Sequence, residues 1–227
     1  MYMTYDHRVA RAEHPEPAPP TPMTPYRANA AVVLRSPPPN PRTITPDLIP
    51  ELESIVIHIM VKEAVVSKHN LLSGIMALRA LSGEASNGGN RRGASGVQVI
   101  RAKVGAASFR LRAGMPIAAK VEIKGEAMYD FVQTLVDFVI PRIRDYPGIP
   151  IPADGKSTKS PSVVGGVFQF GLPPSAMALF PQIEANIDAY PRMHGMHLYF
   201  KTNQKGPRAE TTARVLMSAF RLPFYRK

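Results

Sequence analysis

The sequence contains no cysteine. Disulfides, zinc–cysteine sites and thiol nucleophiles are therefore excluded, while the redox compartment stays open. No apolar run approaches the roughly 20 residues that a membrane helix needs, so a soluble chain without a membrane partner is expected. Phosphate-cradling motifs are missing too. There is no G-x-x-x-x-G-K-[ST] or G-x-G-x-x-G, and Gly88, Gly89, Gly93 and Gly96 have neither the spacing nor the strand-to-helix setting of one. No cofactor is expected. Acids are scarce, 17 Asp and Glu against 28 Lys and Arg, and the formal charge of +11 calls for a polyanionic partner.

What is present reads as one core with tails, since 227 residues are ample for one domain and short for two. Residues 1–50 hold half of the 24 prolines, including Pro37, Pro38, Pro39 and Pro41, and show no sustained period. An extended, nearly neutral arm is expected there, ordered only by a partner surface. Its start mixes Arg8 and Arg11 with Asp6, Glu13 and Glu16, unlike an acid-poor transit peptide or a secretory signal. Any targeting segment is thus expected to have been removed or never to have existed.

From Ser54 the pattern changes. Ile55, Ile57, Ile59 and Val61 alternate with Val56, His58 and Met60, which predicts a strand with a buried face. Val65, Leu72, Ile75, Met76, Leu78 and Leu81 follow at helical spacing, and Ser82-Gly83 should end that helix. Residues 84–96 are glycine, small polar residues and two arginines, a flexible insertion. Strands are predicted at Val97–Val104, Phe109–Leu111 and Ile117–Lys124, forming an antiparallel sheet with one basic, solvated face. A second helix runs from Met128 to Val139 and should stop at Pro141. Strands at Val163–Phe170 and Met196–Thr202 flank a Pro-rich loop, and a helix near Ala209–Phe220 is entered through Gly206-Pro207. Strands and helices mix without regular alternation, so the class is α+β.

The positive charge is concentrated. Arg91, Arg92, Arg101, Lys103, Arg110, Arg112, Lys120 and Lys124 face a single acid, Glu122, within residues 91–124. Residues 201–227 carry Lys201, Lys205, Arg208, Arg214, Arg221, Arg226 and Lys227 against Glu210. Outside these two segments the chain is close to neutral. Localised cations are what phosphate-backbone binding needs, because each neutralised phosphate releases counterions; the bland reading is a merely solvated basic surface. Small residues between the charges of Arg101–Pro116 permit close backbone approach to RNA. Phe109, in a strand-like context, is expected to anchor the core in preference to stacking on a base.

Several stretches resemble the universal large ribosomal subunit protein five family. Lys120 to Tyr146, K-V-E-I-K-G-E-A-M-Y-D through P-R-I-R-D-Y, is similar to its central signature. Residues 107–117 (A-S-F-R-L-R-A-G-M-P-I), 180–184 (F-P-Q-I-E) and 219–224 (A-F-R-L-P-F) match in the same order, so the likeness extends over residues 53–227. The resemblance implies an α+β domain over 51–227, sited in the central protuberance. It implies binding to large-subunit rRNA, contact with P-site tRNA, a bridge to a small-subunit head protein, and neighbouring ribosomal proteins as partners. The tRNA-facing loop would be 101–114, with Arg101, Lys103, Arg110 and Arg112 on phosphates. Arg91, Arg92, Lys120, Lys124, Arg142, Arg144, Lys201, Lys205 and Arg208 would bind rRNA.

The family's N-x-G-x-G-E element reads His58-Ile59-Met60-Val61-Lys62-Glu63 here, which puts the 5S rRNA contact in doubt. Together with the insertions at 84–96 and 171–178 and the proline-rich arm, this departure resembles a mitochondrial member, a fungal one in particular, at work in the matrix ribosome. Two other readings compete. A free-standing RNA-binding translational regulator would carry the same charge map. A nucleic-acid-processing enzyme would need carboxylates or histidines inside the basic segment, where only Glu122 stands. His194 and His197 form an H-x-x-H with no third ligand in place, so neither a metal site nor catalysis is expected.

Overall fold

The computed structural model describes residues 49–84, 96–151, 165–206 and 209–226. The arm up to residue 48, residues 85–95 with Arg91 and Arg92, and Pro207 and Arg208 lie outside the described residues.

The alternation that begins at Ser54 becomes strand β1 (Leu52–Met60). Ile55, Ile57 and Ile59 are fully buried while Met60 on the other face is exposed, as a period of two requires. The remaining strands are β2 (Gln98–Arg101), β3 (Pro116–Ile123), β4 (Ile149–Ile151), β5 (Val167–Leu172), β6 (Met196–Thr202) and β7 (Phe224–Arg226). Five of them form an antiparallel sheet in the order β2-β3-β1-β6-β5, as expected for an α+β fold. Ile57 lies opposite Val121 and Leu198, and Ile55 opposite Ile123 and Phe200. The core face is thus built from aligned apolar rows, each large side chain worth about 1.5–3 kcal/mol when fully buried. Phe200 stacks on Phe170 of β5 with ring centres 5.8 Å apart.

Helices cover that face. In α1 (Asn70–Ser82), Leu71, Ala77, Leu78 and Leu81 are buried, and a Cβ on Gly74 would stand 3.4 Å from Ile59 Cγ2, so the helix backbone lies close on the sheet. The helix ends at Gly83 as expected, with φ +65° and its N–H donated to Arg79 O. It starts later than the apolar spacing predicts, because Val65 belongs to a separate 3₁₀ turn, Lys62–Val65. The β-branched Val61, Val65 and Val66 favour extended and turn geometry there.

Helix α2 (Glu126–Thr134) runs on through a π-helical stretch, Leu135–Val139, into a last turn, Ile140–Arg142. Pro141 therefore does not stop the helix. It sits in the first positions of the final turn, directly after the π-helical stretch, where Ile140 N–H donates to Leu135 O and the widened bonding lets the helix pass a residue that cannot donate. The predicted Pro-rich loop contains two four-residue helices, α3 (Pro174–Met177) and α4 (Pro181–Glu184). α5 (Ala209–Ala219) follows as expected, and β4 pairs in parallel with β7. The strand predicted at Phe109–Leu111 is absent: residues 107–109 form a 3₁₀ turn. Of the strand predicted at 163–170, residues 163 and 164 lie outside the described residues, 165 and 166 form a turn, and β5 begins at Val167.

Candidate nucleic-acid interface

The sheet's second face carries no helix among the described residues. Because Ile55, Ile57 and Ile59 point into the core, Val56, His58 and Met60 must point out, and the same alternation turns Lys120 and Glu122 of β3 and His197, Tyr199 and Lys201 of β6 outward. Register aligns them into rows. His58 lies opposite Lys120 on one side and His197 on the other, with the two imidazole centres 6.2 Å apart. Burial, then the neighbouring His197 and Lys120, pushes the His58 pKa down. Its Nδ1 is buried without a hydrogen-bond partner among the described residues.

One acid interrupts this face. Glu122 accepts hydrogen bonds from Ser54 Oγ at 2.8 Å and Lys201 Nζ at 3.0 Å, and Lys124 Nζ stands 3.9 Å away. Partial burial pushes its pKa up, but the bonds from Lys201 and Ser54 outweigh that and hold the carboxyl below its usual range. Lys120 is exposed and makes no ion pair with any described residue. The face is thus a cationic surface with one satisfied carboxylate.

The loop from β2 to β3 is a built hairpin. Ala102 N–H donates to Met115 O at 2.8 Å, Gly114 N–H to Ala102 O at 2.9 Å, and Arg101 Nη1 to Gly114 O at 3.1 Å. Ala106 and Leu111 exchange two backbone bonds of 3.0 Å each, which leaves Ala107–Arg110 as the tip. Arg110 takes φ +54° to close the turn. Lys103, Arg110 and Arg112 are exposed and unpaired with any described acid. Phe109 is not a core anchor: the 3₁₀ turn takes it out of the sheet and leaves it 72% exposed, and Val104 is 77% exposed.

The other predicted cations are dispersed. Lys124, Arg144 and Lys205 are exposed, and Lys201 is shared with Glu122. Arg142 is committed to Glu184 through two hydrogen bonds of 2.7 Å. His194 and His197 do not converge: His194 faces the core and bonds Ser73 Oγ at 2.5 Å, whereas His197 lies on the open face. The sequence alone does not mark His58, His197 and Tyr199 as RNA-facing. Their outward orientation follows from strand period, but their row depends on which strands pair.

Residues 116–224 match the family model for the C-terminus of the ribosomal L5 family, starting at the first residue of β3. The large ribosomal subunit protein uL5 of Oceanobacillus iheyensis is 34% identical over 177 residues, 78% of this chain and 84% of that protein. The chain belongs to the uL5 family of ribosomal proteins. Members of this family are structural parts of the ribosome, and the chain is accordingly not an enzyme. Two further relatives carry the name uL5m. That of Schizosaccharomyces pombe is 33% identical over 183 residues, 80% of this chain but 56% of the relative, so the chain spans little more than half of its length. That of Reclinomonas americana is 27% identical over 184 residues, covering 81% of this chain and 88% of the relative. The matched family stretch includes Lys120, Lys124, Arg142, Arg144, Lys201 and Lys205, whereas the 101–114 hairpin precedes it.

Proposed function

We propose that this chain is a structural constituent of the large subunit of a mitochondrial ribosome, where it holds rRNA in the central protuberance. The hairpin 101–114 touches P-site tRNA, and the domain helps bridge to the small-subunit head beside neighbouring ribosomal proteins. The observation that carries this reading is the hairpin itself, where Lys103, Arg110 and Arg112 stand exposed with no acid within the loop to neutralise them. Such cations gain most from a phosphate backbone. The open sheet face, with Lys120, His58 and His197 in one row, offers a second surface for rRNA. Arg91, Arg92 and Arg208 extend the basic segments in sequence. The uL5m relatives support the mitochondrial placement. The departure at 58–63 leaves 5S rRNA outside the proposed partners.

Sedimentation of a mitochondrial lysate through sucrose, in low and in high salt, tests this reading. Salt-stable comigration with the large subunit is expected. Slow sedimentation in both conditions would favour a free-standing translational regulator.

A further inference from the structure

We propose that Phe109 is a stacking platform for an unpaired nucleobase, a contact that reads a flipped-out or single-stranded base where the neighbouring cations read only phosphate. The inference rests on the reading of the 101–114 hairpin as RNA-facing and adds the chemical class of its apolar contact. A phenylalanine left 72% exposed at a hairpin tip loses its hydrophobic gain unless something covers it. The tip is not loosely held. The Ala106–Leu111 bonds close it, Arg110 is fixed at φ +54°, and the two arms approach closely enough that a Cβ on Gly105 would stand 3.3 Å from Leu111 O. The backbone that carries the ring thus has little freedom left to lose on binding.

The charge of the surroundings selects the occupant. Residues 101–114 contain four cations and no acid, so an apolar protein surface would have to bury Phe109 beside uncompensated guanidinium groups. A nucleotide satisfies both parts of the tip at once: its base covers the ring, and its phosphates meet Arg110 and Arg112. Aromatic rings flanked by cations bind single strands in this way because every base has a π-face.

The absence of tryptophan from the chain makes the contact observable. In the full-length protein, F109W introduces the only indole, and V66W, at an exposed site outside the hairpin, serves as control. Titration with single-stranded oligo(A) should quench F109W emission severalfold, while inorganic polyphosphate should leave it unchanged and V66W should respond to neither. F109A and F109L should each weaken oligo(A) binding about tenfold, in the range expected for removal of a stacking aromatic, with polyphosphate affinity unaltered. Bound oligo(A) that leaves F109W emission unmoved, or an F109L variant that binds as well as the original, overturns the stacking contact and leaves the ring to a protein neighbour. If R110A/R112A binds oligo(A) undiminished, the RNA reading of the hairpin fails and takes this inference with it.

Discussion

The guanidinium of Arg142 grips the carboxylate of Glu184 through two parallel hydrogen bonds of 2.7 Å and also reaches Leu179 O at 3.4 Å. The pair joins the end of the α2 segment to α4, two stretches far apart in sequence. The Glu184 carboxyl lies below its usual range because Arg142 bonds it, and the Arg142 pKa is raised in return. Arg142 is therefore expected to act on the fold before it acts on RNA. R142A should lower the Tm by a few degrees, and R142K should lose most of the same stabilisation, because an ammonium cannot reproduce the two-point contact. Thermal unfolding of both variants checks this; R142K melting like the original chain would show that only charge matters.

His194 provides a pH dependence. It is buried against Ser73 Oγ, and burial pushes its pKa below the ordinary value of about 6.5 despite the attraction of Glu63, while Arg192 lowers it further. The folded chain thus keeps His194 neutral where the unfolded chain already takes up a proton. Its contribution is complete above the unfolded pKa and is lost as pH falls below it. The Tm should be flat from about pH 8 to 7 and decline from about pH 6.5 downward. H194Q should flatten that decline without abolishing it, because the pKa of His58 is shifted in the same direction.

Lys120 and Glu122 share the open face but should respond in opposite ways. Lys120 is exposed and free of described partners, so K120E should leave the Tm nearly unchanged. It should weaken binding to an rRNA fragment and reduce the salt slope by about one. E122A removes the acceptor of the buried Ser54 Oγ and of Lys201, and should destabilise by about 1–3 kcal/mol. Filter binding across a salt series, with melting curves alongside, separates the two effects.

The elements read best from the sequence were those whose period decides their burial. β1 and β6 alternate so regularly that strand and face follow from Ile55, Ile57, Ile59, Leu198 and Phe200 alone. The α2 stripe of Met128, Phe131, Val132 and Leu135 is equally plain, but its end is not, because a proline can begin a new turn after a π-helical stretch. Phe109 departs from the expected strand because a short stretch with two large apolar residues looks like one, whereas the hydrogen bonds of a hairpin tip depend on how its two arms meet. The parallel β4–β7 pair joins three-residue segments distant in sequence, and nothing local announces it. The cations of the hairpin were legible by composition. The Lys120–His58–His197 row was not, since it exists only once β3, β1 and β6 lie side by side.

The most direct test of the account is P-site tRNA retention on ribosomes carrying R110A/R112A. Both side chains are exposed and unpaired with described residues, so the variant should assemble into large subunits in normal amounts. The account predicts that such ribosomes release P-site tRNA faster than unaltered ones, with the difference shrinking as salt rises. Retention equal to that of unaltered ribosomes at every salt concentration would contradict the assignment of this hairpin to tRNA.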